Sequence, residues 1–423
     1  DRRFVDHKRE TCGTRRKRHI SLHYTLAPEP QREIASGAAM APSTCQDMAM
    51  LVDLNEETVI SNLVTRYEQG DIYTYTGEIL TSVNPCCAME GLYSADNMMS
   101  YAGRMLGGAQ APHLYAIAEE CYRQLVKTQS HQGLVVSGVS GAGKTEANKI
   151  VTQYLCWRAS HSAGQIGRKM KLSPAAINAA RSMEGGGYEG LDTLSQRILT
   201  SNVVFEAFGN AATTNNPNSS RFGKFVRLLF DPSGRVQGAR INTYVLEKSR
   251  LVLQCPQERS FHAIYQLLSL AASDPAKASS LKLNGPDGYW YTTQSGRMTI
   301  EGVDDAADWA ATLSALSSLG LSDSELLELQ KVMSGMMHLG NLKFEDLEKE
   351  AGGDGSKLEE SEGVHCALQA LTSLWGLEPD LTATSLTSRR MDSKRGSSYA
   401  IGITGEKATM TRDALAKAVY HAI

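Results

Sequence analysis

Gly138-Val139-Ser140-Gly141-Ala142-Gly143-Lys144-Thr145 follows a short apolar run, Leu134-Val135-Val136, and opens a stretch of helical periodicity. The order fits G-x-x-x-x-G-K-[ST] set between a strand and a helix. It demands a fold that joins strand, tight small-residue turn and helix, which is an α/β fold. Small residues let successive backbone N–H groups curl round a phosphate, and the helix that follows adds its positive N-terminal end. Lys144 would reach the β/γ-phosphates, and the Thr145 hydroxyl would ligate Mg²⁺. A chance glycine-rich turn has no reason to sit between these two elements. The loop by itself specifies a nucleoside triphosphate and no more. Guanine recognition would bring an N-K-x-D run, which Asn148-Lys149-Ile150-Val151 fails to match.

Composition narrows the classes further. Lys+Arg total 43 and Asp+Glu 46, for a net charge of -3 over 423 residues. A binder of nucleic acid that relied on charge would be basic over a domain. Apolar residues at 42% and charged residues at 21% exclude a wholly disordered chain. No apolar run reaches the length of a membrane span. Eight cysteines are scattered, with Cys86-Cys87 the one adjacent pair and no C-x-x-C. That pattern predicts a reduced, intracellular protein rather than a disulfide framework. Residues 1–46 carry Arg15-Arg16-Lys17-Arg18 with no apolar run behind it, so they are not a secretory signal. They read as a disordered or loose basic arm, a solvated tail in preference to a localisation or lipid-binding patch.

Periodicity orders the rest. A helix carries Val59, Ile60, Leu63 and Val64, with Asp53 or Asn55 as its cap, and a strand pair covers 72–76 and 79–83. A strongly amphipathic helix runs from His113 to Lys127 and another from Lys144 to Trp157. Residues 159–190, rich in Ser, Gly and Ala, read as a surface insertion. Val226–Phe230 and Val236–Ile241 form a hairpin around Asp231-Pro232-Ser233-Gly234. Helices follow from about Glu258 to Leu270, after a Ser322 cap to Gly340, near 364–374 and from Thr411. The last is still amphipathic at Ile423 with no closing Gly, Asn or Pro, which predicts a piece of a longer chain.

A second segment, Asn216-Pro217-Asn218-Ser219-Ser220-Arg221-Phe222-Gly223-Lys224-Phe225, sets two hydroxyls and an Asn on a loop. Such groups suit phosphate, Mg²⁺ and water, although Ser/Asn clusters are more often plain turns. Val226–Asp231 imitates a strand ending in a metal-binding acid, but the Asp-Pro-Ser-Gly run makes Asp231 a turn residue.

Taken together, these segments resemble the motor domain of a myosin. The phosphate loop with Glu146 is similar to GESGAGKTE, and Asn216–Phe225 is similar to the switch I sequence NDNSSRFGKF. Phe205–Ala211 resembles LEAFGNA, Tyr244–Arg250 resembles YLLEKSR, and Glu258–Leu268 resembles ERNFHIFYQLL. His338-Leu339-Gly340-Asn341 and Arg412–Lys417 follow in the family's order. The likeness runs from about residue 50 to 423. Kinesins carry SSRSH in switch I, whereas Phe222 follows Arg221 here.

The resemblance implies a P-loop NTPase with a mainly parallel or mixed central sheet flanked by helices, plus a mainly helical upper subdomain. The motor would cover 47–423, with its nucleotide-binding region at about 47–250 and its upper actin-facing subdomain at about 205–423. It implies ATP and Mg²⁺ as cofactors, held by Gly138, Ser140–Glu146 and an adenine-side loop with Asn84, Pro85 and Tyr93. Thr145 and Ser220 would ligate the metal. Asn216 would touch phosphate, Ser219 the attacking water, and Arg221 would pair with a switch II glutamate. Cys86, Cys87, Ala88 and Glu90 depart from the adenine-side pattern NPxxxLPxxY, Val139 replaces the phosphate-loop Glu, and Pro217 replaces the switch I Asp. No DIxGFE switch II occurs in the sequence. The resemblance implies an actin filament as partner, light chains or calmodulin on a neck, and a cytoplasmic place in the actin cytoskeleton. Open alternatives are another P-loop ATPase or kinase, and a nucleotide binder without turnover. In the loop 388–410, Arg389, Arg390, Lys394 and Arg395 would face acidic actin. Ser397, with Ser398 beside it, stands where the family carries a negative or phosphorylatable residue.

Overall fold

The computed structural model describes residues 19–25, 44–162, 174–184, 191–347, 355–392 and 398–423. Their contacts define two compact units, residues 1–192 with 230–237 and residues 193–229 with 238–423.

The first unit is built on a four-stranded mixed sheet. Its strands are β1 (His19–Thr25), β2 (Tyr73–Thr76), β3 (Ile79–Val83) and β4 (Gly133–Gly138), in the order β2-β3-β1-β4. β1 runs parallel to both neighbours, with Leu22 opposite Val136 and Leu80, and Tyr24 opposite Gly138. β2 and β3 are the antiparallel pair expected, joined through Gly77. The expected loose arm over 1–46 departs from the structure at β1. Ile20, Leu22 and Tyr24 alternate with polar residues there, a period-two signal too short to separate from the arginines before it.

Helix α1 (Glu56–Glu68) is capped by Asn55, whose side chain accepts from Thr58 N–H while Thr58 Oγ1 accepts from Asn55 N–H. Buried Arg66 ties it to β2, donating to Thr74 Oγ1 and the Tyr73 carbonyl. Next come α2 (Ala95–Tyr101), α3 (Leu114–Thr128), α4 (Lys144–Ser162) and α5 (Pro174–Glu184). The α3 stripe read from spacing is buried at Leu114, Ile117, Ala118, Cys121 and Tyr122. The expected surface insertion over 159–190 is corrected: α4 extends to Ser162, and α5 buries Ala176, Ala179, Ala180 and Met183. Small alanines at three- and four-residue spacing let α5 pack closely, and Trp157 Nε1 donates to the Ala176 carbonyl at 2.9 Å.

His113 caps α3, its Nδ1 accepting from Tyr115 N–H at 3.0 Å inside a ring of Tyr73, Tyr93, Tyr101 and Tyr115. Burial pushes its pKa down to about 3 from 6.5. The unfolded chain therefore takes up this proton first. The contribution of neutral His113 is fully present above about pH 6.5 and is lost as pH falls toward 3. Asparagine also caps helices through a side-chain oxygen. His113→Asn is expected to flatten the loss of thermal stability between about pH 6.5 and 4. Equal slopes for variant and parent would remove His113 from the acid response.

The second unit is mainly helical. Helix α6 (Thr193–Gly209) leads into β5 (Asn210–Ala211), which pairs antiparallel with β6 (Ser219–Ser220). β7 (Gly223–Phe230) and β8 (Val236–Tyr244) form the expected hairpin, whose tip at 230–237 is counted with the first unit. Asp231 lies in its turn, accepting from Ser233 Oγ and Arg235 N–H, so it is a turn residue as read. The unit's core joins Phe261, Tyr265 and Leu268 to Met333, Met337 and Leu371, and Tyr420 stacks on Phe261 at 4.7 Å.

Two helix starts differ, and one helix is additional. The helix expected from Glu258 begins at His262, because Glu258 accepts from Arg250 Nη1 and Arg259 reaches Asp305. The last helix begins at Gly405 rather than Thr411, capped by Thr404. Asp305–Leu319 is a further helix, capped by Asp304. Ser322 caps Asp323–Gly340 with Glu325 in a reciprocal capping box. Arg389 and Arg390 lie on a strand, Ser388–Asp392, paired with Ser398–Gly402. Lys394, Arg395 and Ser397 lie outside the described residues.

Candidate functional site

The phosphate-loop sequence occupies the turn between β4 and α4. Gly138, Gly141 and Gly143 have φ of 150°, 79° and 88°. At Gly141 a β-carbon would meet no heavy atom within 4 Å, so the glycine there serves backbone conformation rather than space. Ala142 is buried under the loop. Lys144 opens α4 and folds back, donating from Nζ to the Val139 carbonyl at 2.6 Å. Partial burial lowers its pKa. A lysine held across the loop by one carbonyl contact is poised to exchange that contact for an anion. The start of an α-helix carries N–H groups beyond its own carbonyl ladder, which makes the N-terminal end of α4 suited to an anion.

Of the residues expected on the adenine side, Asn84 touches the phosphate loop, whereas Tyr93 lies among the aromatic rings around His113. Asn84 Nδ2 donates to the Gly141 carbonyl at 2.6 Å, and Asn84 Oδ1 accepts from Cys86 N–H at 3.0 Å. The Tyr93 hydroxyl shares a 2.6 Å hydrogen bond with Tyr73, and burial raises its pKa, with Glu146 adding to the rise. Glu146 itself is exposed and paired with Lys149 at 2.9 Å. Pro85 is half-buried beside Asn84.

The second segment is held by a network that sequence reading missed. Asn216 accepts at Oδ1 from Asn218 N–H at 2.8 Å, which closes a turn over Pro217. Thr213 receives Asn216 N–H and donates its own N–H to the Asn216 carbonyl. Asn218 Oδ1 accepts from Asn210 Nδ2 at 2.8 Å and from His262 Nε2 at 3.2 Å, while Asn218 Nδ2 reaches Glu206 at 3.2 Å. Burial, with Arg259 nearby, pushes His262 down to about 4, so it serves as a neutral donor. Ser219 is buried and Ser220 half-buried on β6. Arg221 lies next and pairs with Glu247 at 3.1 Å; Glu247 also holds Arg250. Glu247 is the acid that Arg221 meets within this chain. Glu206, Asn210, Glu247 and His262 all fall inside segments the resemblance singled out. Their spacing carried no signal of contact, because folding alone brings them together.

Gly209 is fixed by space. A β-carbon there would stand 2.3 Å from Phe222 Cε1, and Phe222 stacks on Phe205. Gly209→Ala is expected to cost about 1–3 kcal/mol through overpacking. It should lower the thermal midpoint and speed amide exchange at 209–222. Parent-like behaviour in both measurements would show that Phe222 yields freely.

The family model described as "Myosin head (motor domain)" matches residues 45–423. A protein named Myosin-2 from Lachancea kluyveri is 36% identical over 378 residues, 89% of this chain and 22% of its own length. Myosin-8 of Arabidopsis thaliana is 36% identical over 382 residues, 89% of this chain and 23% of its own. The Myosin-I heavy chain of Dictyostelium discoideum is 36% identical over 375 residues, 89% of this chain and 14% of its own. The chain thus spans less than a quarter of the length of these relatives.

Proposed function

The chain belongs to the myosin head (motor domain) family, and from that premise we propose that it binds Mg-ATP on a P-loop NTPase fold and serves an actin-based motor. The observation that supports this most is the phosphate-loop turn itself. Three glycines with positive φ join β4 to α4, and Lys144 is held across the turn by a single carbonyl.

In this reading Lys144 Nζ leaves Val139 for the β/γ-phosphates, and loop N–H groups from Ser140 to Glu146 take the remaining oxygens. Asn84, Pro85 and Tyr93 contact the base side. Asn216 contacts phosphate, Ser219 orients the water for in-line attack, and Arg221 steadies the segment through Glu247. The donor set suits magnesium, which prefers a few neutral or anionic oxygens and keeps its waters. On the first unit Thr145 supplies a hydroxyl oxygen next to the phosphate-loop lysine, the resemblance adds the Ser220 hydroxyl, and among the described residues no group of three or more His, Cys, Asp or Glu could hold a metal ion. When bound, the ion neutralises phosphate charge. The wider assignment adds an actin filament as track, light chains or calmodulin as partners, and a cytoplasmic, cytoskeletal setting. No described helix is long and apolar enough to cross a membrane.

Calorimetric titration of the chain with Mg-ADP tests the nucleotide assignment. One saturable site, weakened when magnesium is chelated, is expected; no heat and no competition by ATP would overturn it.

A further inference from the structure

Cys86 and Cys87 are adjacent and both exposed, and they sit one residue beyond the Asn84-Pro85 pair that braces the phosphate loop. Cys86 has φ of 54°, a left-handed conformation that non-glycine residues seldom adopt. Two contacts with Asn84 hold it there. Cys86 N–H donates to Asn84 Oδ1 at 3.0 Å, and Cys86 Sγ lies 3.9 Å from the Asn84 carbonyl. The other end of the same Asn84 side chain donates to the Gly141 carbonyl at 2.6 Å. One side-chain amide therefore joins the backbone of Cys86 to the phosphate loop, and the Cys86 thiol lies against the main chain of the same asparagine.

We propose that Cys86 and Cys87 form a reversible oxidation site for hydroperoxides, which closes to a bond between the two neighbours and loosens Asn84 from the phosphate loop. One thiolate attacks the terminal oxygen of the peroxide, and the O–O bond breaks. The sulfur becomes a sulfenic acid, and the peroxide remainder leaves as water or an alcohol. The second thiol attacks that sulfur, forming the S–S bond. The S–O bond breaks, and hydroxide leaves with the thiol proton as water. The pair loses two electrons and two hydrogens, and the peroxide is reduced by the same two electrons.

Adjacency decides the product. Exposed Cys255 and Cys366 have no neighbouring cysteine in sequence, whereas the sulfenic acid at 86 or 87 meets a thiol one residue away. Adjacent Cα atoms lie about 3.8 Å apart, below the roughly 4.4–6.8 Å of ordinary disulfides. The closed ring is therefore strained and easily reduced, which suits a labile bond rather than a structural one. Closure draws Cys86 Sγ toward Cys87 and away from Asn84, and fixes the backbone torsions on both sides of the 86–87 peptide. The turn that aims Asn84 at Gly141 is lost with it. The consequence for nucleotide rests on the phosphate-loop reading above; the bond and its effect on the loop do not.

The test treats the whole chain with hydrogen peroxide and then dithiothreitol. Peptide mass spectrometry is expected to show loss of two hydrogens in the peptide holding 86 and 87, restored by the dithiol and blocked in Cys87→Ser. Amide exchange over 138–145 should quicken in the oxidised form and recover on reduction. Mg-ADP affinity should fall roughly two- to tenfold, the range for one neutral hydrogen bond, and recover with it. Oxidation of Cys255 and Cys366 at a dose that leaves 86 and 87 unbridged would overturn the proposal. So would a bridge that leaves exchange over 138–145 unchanged, or altered exchange with equal Mg-ADP affinity in both forms. A reduced chain that binds no Mg-ADP removes the phosphate-loop reading instead. The mass and exchange results still decide whether the bridge forms and moves the loop.

Discussion

Lys144→Ala is expected to lower Mg-ADP affinity by roughly ten- to a hundredfold or more, with little change in thermal stability. A hydrogen bond to a charged group contributes about 1.5–3 kcal/mol, and each 1.4 kcal/mol is a factor of ten in affinity. The loss grows when phosphate oxygens already stripped of water are left without a cation. Folding should hardly notice, because the one bond lost is Nζ to the Val139 carbonyl at 2.6 Å, at a partly exposed side chain. Lys144→Arg is not a safe replacement: the planar fork is larger than an ammonium and cannot fit the same point between phosphates. Calorimetry on the alanine variant, with a melting curve as control, checks both halves. Parent-like affinity in a well-folded variant would withdraw Lys144 from the phosphate site.

Local chemistry made part of this molecule readable in advance. The loop at Gly138–Thr145 depends on glycines and a lysine at fixed offsets, and the structure places strand, turn and helix around it. Asn55 and Ser322 announced their helices because a cap bonds within three residues. Long-range pairings were not readable in the same way. β1 lies between β3 and β4, and those partners are more than fifty residues further along the chain, so no window near Ile20 shows them. His262 looked like one letter of a family motif; its bond to Asn218 spans 44 residues. The start of the last helix is hidden from the sequence because Gly405 is a poor helix former in isolation, while in the fold Asp346 accepts its N–H at 2.7 Å.

Glu119 shows the same limit with the largest consequence for stability. In sequence it is one acid on the apolar face of α3, where it looks like an exception to the stripe. In the structure it is 1% exposed and pairs with Arg158, itself 0% exposed, through Nε at 2.8 Å and Nη2 at 3.2 Å. Tyr154 Oη donates to it at 2.9 Å and Gly103 N–H at 2.9 Å. Arg158 also lies 4.7 Å from the centre of the Tyr122 ring. Four donors on one carboxylate make the pair tolerable inside the unit, and they tie α3, α4 and the chain before α3 together. Glu119→Ala removes the carboxylate that a guanidinium, a phenol and an amide share. About 3–5 kcal/mol of lost stability is expected, a large share of what domains usually possess. Glu119→Leu with Arg158→Met should recover much of it, because removing both charges spares the desolvation that the single change exposes. Amide exchange across 114–128 and 144–162 reports this unit apart from the other, which a single melting temperature cannot do. If Glu119→Ala leaves that exchange at the parent rate, the buried pair contributes nothing to holding α3 against α4.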